Sequence, residues 1–165
     1  MFDDNNKNQF LYILKSANSF NMTFQLLTIL SQQDEDNNPY IIPSVVNATF
    51  AIELYLKAIL TYKQISYKKG SKGHNIKYLF EIIPAEVQKT ITLKYESEKK
   101  KSSQLFLYNS LQEYLDHEYN SFEMWRYIFD EWKDKRFLFP NNETKILLNI
   151  LKKECDEIKG GMIDD

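Results

Sequence analysis

Glycine and proline are scarce in this chain: 165 residues contain only four of each. Proline removes a backbone donor and glycine raises the entropic cost of order, so long stretches lacking both are free to be helical. The eight breakers fall at Pro39, Pro43, Pro84 and Pro140 and at Gly70, Gly73, Gly160 and Gly161. That distribution excludes loop-rich and collagen-like designs and leaves three long uninterrupted stretches. In the first, Phe10, Ile13, Leu14, Ala17, Phe20, Phe24, Leu27 and Leu30 draw an apolar stripe along one helix face, which a polar run from Ser31 to Asn38 ends. The second follows Pro43, with Ser44 placed to cap it. Val45, Ala48, Ile52, Leu56 and Ile59 form one face there, and Ala51, Leu54 and Ala58 widen it. Only a narrow stripe of Glu53, Lys57, Thr61 and Gln64 is polar, so this helix belongs at the centre of a bundle. Glu53 precedes Lys57 by four residues, the favourable order for a helical ion pair, and the plain reading is a solvated stripe closed by that pair.

The stretch from Tyr67 to Asn75 reads as a basic loop feeding a short helix, Ile76 to Ile83, that Pro84 stops. Pro84 can open a small helix through Val87 and Ile91, and the charged run from Lys94 to Ser103 reads as an exposed, mobile connection. From Leu105 to Trp132 there is again no breaker, and Leu105, Tyr108, Leu111, Leu115, Tyr119 and Phe122 keep helical spacing. Asn120-Ser121 leaves open whether Phe122 to Trp132 continues that helix or starts a new element. A last helix, capped by Asn142 and carrying Leu147, Ile150, Leu151 and Ile158, ends at Gly160-Gly161, leaving 160–165 as a flexible tail. The expectation is one all-α domain over residues 1–165, an up-and-down antiparallel bundle of about five helices.

The charge balance, 21 Lys and Arg against 23 Asp and Glu, disfavours a dedicated duplex-DNA binder while allowing a local basic patch. One cysteine, Cys155, cannot form an internal disulfide, and the acidic start Met1-Phe2-Asp3-Asp4 lacks the pattern of a secretory signal. Glu53 and Lys57 interrupt the best apolar run, so no membrane association is expected and the chain suits the cytoplasm. His74 and His117 stand alone, without a second ligand at helical spacing, so neither a metal nor a cofactor is expected. Gly70-Ser71-Lys72-Gly73 lacks the Gly-Lys-Ser/Thr ending of a phosphate loop. A basic, glycine-containing loop entering a helix at Asn75, with Lys72 and Lys77 near it, is nonetheless either a solvated connection or a place for an anion. The cluster Phe122, Trp125, Arg126, Tyr127 and Trp132 can stack an unpaired base or fill a core, with Arg126 paired to Asp130 or Glu131.

Three segments carry a resemblance when read together: Phe50 to Leu60 (FAIELYLKAIL), Gly73 to Phe80 (GHNIKYLF) and Phe122 to Tyr127 (FEMWRY). In order and rough spacing they resemble the HEPN superfamily, helical domains named for higher eukaryotes and prokaryotes nucleotide-binding, over roughly residues 44–131. The resemblance implies a bundle of four or five helices, frequently a homodimer, found in toxin–antitoxin, phage-defence and RNA-processing systems. Many members cleave RNA with an Arg followed four to six residues later by His. Here the only arginines are Arg126 and Arg136, and no histidine follows either.

The reading that follows is a non-catalytic HEPN-like module. It binds a nucleotide, RNA or protein partner in a cleft lined by Glu53, Lys57, Lys72, His74, Lys77, Arg126 and Tyr127. A nucleotidyltransferase antitoxin is the protein partner the resemblance suggests. One alternative is an atypical ribonuclease or nucleotide-transfer enzyme with His74 as acid/base and Arg126 stabilising the phosphorane. Another is a structural or inhibitory interaction module with its aromatics at an interface.

Overall fold

A computed structural model of the chain describes residues 4–32, 39–126 and 139–162. Among them are seven α-helices and one 3-10 turn: α1 (Asp4–Ser31), α2 (Ile41–Tyr62), the turn Gly70–His74, α3 (Ile76–Glu81), α4 (Ala85–Lys101), α5 (Leu111–Glu118), α6 (Ser121–Arg126) and α7 (Asn141–Gly161). The architecture is an all-α bundle around α2, which packs against α1, α3, α6 and α7. Ala48, Ala51, Ile52, Tyr55, Leu56, Ala58, Ile59 and Leu60 of α2 are all buried. Each large aliphatic among them contributes about 1.5–3 kcal/mol by leaving water. By length and composition alone α2 is apolar enough to cross a membrane, and most of its surface is covered by the other helices instead.

The two ends of α2 follow from local chemistry. The helix starts two residues before Pro43, not after it, because a proline in the first turn removes only an N–H that has no intrahelical partner anyway. Ser44 is therefore not the cap. Its N–H donates to Tyr40 at 2.9 Å, and its buried hydroxyl meets that of Thr28 on α1 at 3.2 Å. At the other end the Ile65 and Gln64 amides bond back to Leu60 (2.9 Å) and Thr61 (3.1 Å), and Gln64 takes φ 55°. This is a Schellman closure with glutamine where glycine is the usual occupant.

Several expected boundaries move. The run from Lys94 is not a mobile connection: it is the second half of α4, since Val87, Ile91 and Tyr95 recur every four residues and are buried while the lysines face out. Leu105 and Tyr108, expected on a helix, lie in an irregular strap, residues 102–110. The strap is held by the buried carboxylate of Glu143, which accepts from the amides of Leu107 and of Tyr108 (3.0 Å for the latter). Two fixed charge-assisted bonds there replace a helical turn. Ser110 caps α5, its hydroxyl accepting from the Glu113 amide at 3.1 Å, and Tyr119-Asn120 separates α5 from α6. Asn142 is inside α7, not at its cap, and its amide donates to the Leu105 carbonyl at 2.8 Å. α7 also incorporates both Gly160 and Gly161, and Met162 beyond them is buried and accepts from Lys7 at 2.9 Å, so the expected tail is ordered at least that far.

Candidate functional site

A carboxylate at the centre of the bundle organises the site. Glu53 on α2 has no accessible side-chain surface, so the expected solvated stripe is in fact covered. A buried carboxylate needs compensation, and two partners supply it. The Lys57 ammonium lies 2.6 Å from Oε1, with 15% of its side chain exposed. His74 Nδ1 lies 3.1 Å from Oε1 and 3.0 Å from Oε2. Because a carboxylate only accepts, Nδ1 carries the hydrogen, and Nε2, on a side chain that is 34% exposed, is an acceptor in the neutral ring and a donor in the protonated one. Tyr67 closes this corner: the Lys57 ammonium sits 5.4 Å from its ring centroid. Its hydroxyl is harder to ionise than usual, first through burial and then through the charge of Glu53.

The loop is shaped to deliver His74 to that carboxylate. Gly70 opens the 3-10 turn at φ +72°, a backbone state that side chains disfavour. At Gly73 a Cβ would lie 2.6 Å from the Lys68 carbonyl oxygen, so the chain folds back on itself where only glycine fits. Asn75 then caps α3, its Oδ1 accepting from the Tyr78 amide at 2.8 Å. The Ile76 amide donates to the Tyr119 carbonyl at 3.0 Å, which ties the start of α3 to the α5–α6 junction. That tie brings α6 alongside. Phe122 stacks on His74 (centroids 5.6 Å apart) and on Phe50 (4.7 Å), and Phe50 meets Phe20 of α1 edge-on at 4.6 Å. The exposed Arg126 guanidinium, one turn further along α6, lies 5.2 Å from the same Phe122 ring. His74 and Arg126 thus converge on one aromatic ring from elements far apart in sequence.

Of the seven residues expected to line a cleft, the structure gathers Glu53, Lys57, His74 and Arg126. Lys77 is committed elsewhere: it bonds Asp116 of α5 at 2.9 Å and approaches Glu81 at 3.8 Å. Its pKa is raised chiefly by the Asp116 bond, and Asp116 is correspondingly held below the usual carboxylate range. Lys72 is exposed in the turn. Tyr127 lies outside the described residues, as do Asp130, Glu131 and Trp132. Phe122 and Trp125 are buried, Trp125 against Val45 and Phe139, so they fill the core and offer no face to an unpaired base. Phe50, Tyr67 and the supporting role of Phe122 were not anticipated. Their signal was present only as aromatics beside family-like positions. His117 stacks on Tyr108 at 5.2 Å, on another part of the bundle. Among the described residues no group of three His, Cys, Asp or Glu side chains could hold a metal ion.

The Lys57 ammonium offsets the Glu53 carboxylate, and His74 and Arg126 stand on the more exposed side of that pair. The family model of the HEPN domain matches residues 32–135, more than half of the chain, and the protein belongs to that family. Neither the curated proteins nor the solved structures yielded a match.

Proposed function

We propose that the protein is a nucleotide- or RNA-binding HEPN module that takes a phosphate group between His74 and Arg126 and does not cleave it. The observation that supports this reading is the Glu53–His74 pairing, in which a fully buried carboxylate on the central helix fixes the imidazole through Nδ1 and leaves Nε2 for a ligand, where the protonated ring donates to a phosphate oxygen. Arginine supplies a guanidinium that matches phosphate geometry but does not exchange protons. Cleavage through the 2′-hydroxyl calls for one group to take a proton and another to give one. The site holds a single imidazole, and the Lys57 ammonium is already bound to Glu53. Binding is what this set of side chains does best.

Fluorescence anisotropy with labelled single-stranded RNA, and competition by ATP, tests the reading. Loss of a charge-assisted hydrogen bond costs about 1.5–3 kcal/mol, so His74→Ala and Arg126→Ala should each weaken binding by roughly 10- to 100-fold. Folded variants that bind as tightly as the parent would remove the site from consideration. The orienting carboxylate also favours a second reading, an acid/base ribonuclease centred on His74. RNA degradation by the parent that His74→Ala abolishes would establish that reading in place of the first.

A further inference from the structure

Between α1 and the end of α7 the surface opens into a groove of about 490 Å³, within the range of small-molecule sites. Leu11, Leu14 and Met22 of α1 supply its apolar lining, Lys15 and Asn18 of the same helix part of its polar lining, and Lys159 reaches it from α7. No carboxylate lines it. Lys15 and Lys159 are both exposed, and neither ammonium has a partner among the described residues. The acids in the last turns of α7 are already paired: Asp156 bonds Lys152 at 2.5 Å, and Glu154 and Glu157 meet Lys94 at 3.1 Å and 3.5 Å. The Met162 carbonyl, at the negative end of α7, is met by Lys7. Asn18 adds a donor of fixed direction. Its Oδ1 accepts from the buried Tyr55 hydroxyl at 2.7 Å, and that hydroxyl accepts from Asn21 at 3.2 Å, so the Asn18 amide cannot turn over without losing a bond. Its NH2 group is left without a partner.

We infer that this groove binds a single-chain amphiphilic anion, a free fatty-acid carboxylate, with its head between Lys15, Lys159 and the Asn18 amide and its chain along Leu11, Leu14 and Met22. Two ammonium groups without a counter-charge attract an anion and repel a cation. The amide NH2 gives a carboxylate oxygen a charge-assisted hydrogen bond. Apolar residues beside those donors favour a ligand that carries a chain as well as a charge. At about 30 Å³ for each water-sized group, the groove has room for roughly 16 heavy atoms, which fits dodecanoate and not the two chains of a phospholipid. Asn18 meets α2 at Tyr55, and the groove shares no residue with the group around Glu53 and His74.

Isothermal titration calorimetry of the full chain with dodecanoate, below its micelle concentration, tests the site. Acetate probes the need for a chain, and dodecyltrimethylammonium probes the sign of the head. Dodecanoate should bind one to one, with acetate and the cation each weaker by more than about tenfold. Lys15→Ala and Lys159→Ala should each weaken dodecanoate by about tenfold, the lower end for a lost charge-assisted bond. Met22→Glu, at a position 60% exposed, should abolish binding while circular dichroism shows unchanged helix content. His74→Ala and Lys153→Ala, both outside the groove, should bind dodecanoate as the parent does. No binding of dodecanoate by the parent overturns the inference, as does equal affinity for the cation or for acetate. Lysine variants that bind as tightly as the parent place any dodecanoate elsewhere and overturn it too, and a loss in His74→Ala would move the ligand to the polar centre instead.

Discussion

Replacing Glu53 separates what the buried polar centre does for stability from what it does for the site. In Glu53→Ala the Lys57 ammonium loses its 2.6 Å partner and His74 loses the acceptor of Nδ1. Removing one partner of a fully buried pair costs about 3–5 kcal/mol. Here Lys57 and His74 retain 15% and 34% side-chain exposure and can turn partly toward water, so the lower end, about 3 kcal/mol, is expected. For a domain of this size that corresponds to a fall in Tm of roughly 6–12 °C. The companion variant Glu53→Leu/Lys57→Met replaces the pair by apolar groups of similar volume, an exchange that is often neutral or stabilising. Urea unfolding followed by circular dichroism should therefore return it to within about 1 kcal/mol of the parent with the m-value unchanged. Its affinity for RNA should stay low, because His74 is no longer held. A loss below about 0.5 kcal/mol for Glu53→Ala would refute the argument, since it would mean that Lys57 and His74 are satisfied without the carboxylate. Full RNA affinity in the double variant would refute the assignment of Glu53 as the residue that positions His74.

Two further substitutions probe the backbone around the site. Gly73→Ala places a methyl against the Lys68 carbonyl at 2.6 Å, so the turn must open; we expect a loss of about 1–3 kcal/mol in thermal unfolding and weaker RNA binding, and an unchanged affinity would show that His74 does not depend on this turn. Gln64→Gly relieves a positive φ at the end of α2, and a gain of about 0.5–1 kcal/mol is expected, with a loss of stability as the contrary result.

The long helices were legible because their signal is local. Apolar spacing over many residues without a breaker is sufficient to place α1, α2 and α7, whatever packs on them. The errors come where a distant group settles the outcome. Leu105 and Tyr108 keep helical spacing, yet the strap that contains them is organised by Glu143, more than thirty residues on. Ser110-Leu111-Gln112-Glu113 does carry a capping-box pattern, the local sign that a helix starts there and not at Leu105. Glu53 and Lys57 showed the same limit: their spacing establishes the ion pair, but only the return of the 70–74 turn and α6 decides that the carboxylate is buried. The resemblance brought Glu53, His74 and Arg126 together as positions, while their contact depends on the Ile76–Tyr119 hydrogen bond and on Phe122, neither of which has a sequence signature. Lys77 failed as a ligand residue for the same reason, since its partner Asp116 comes from α5.

The central helix also keeps its contact with α1 apart from the polar centre. At 100° per residue, Glu53 and Lys57 each lie 200° from Tyr55 around α2. Tyr55 faces α1, its hydroxyl donating to Asn18 at 2.7 Å and accepting from Asn21 at 3.2 Å. Burial pushes that hydroxyl up to about 12, so it remains a neutral donor that locks α1 to α2. The polar centre on the opposite side is answered by the 70–74 turn.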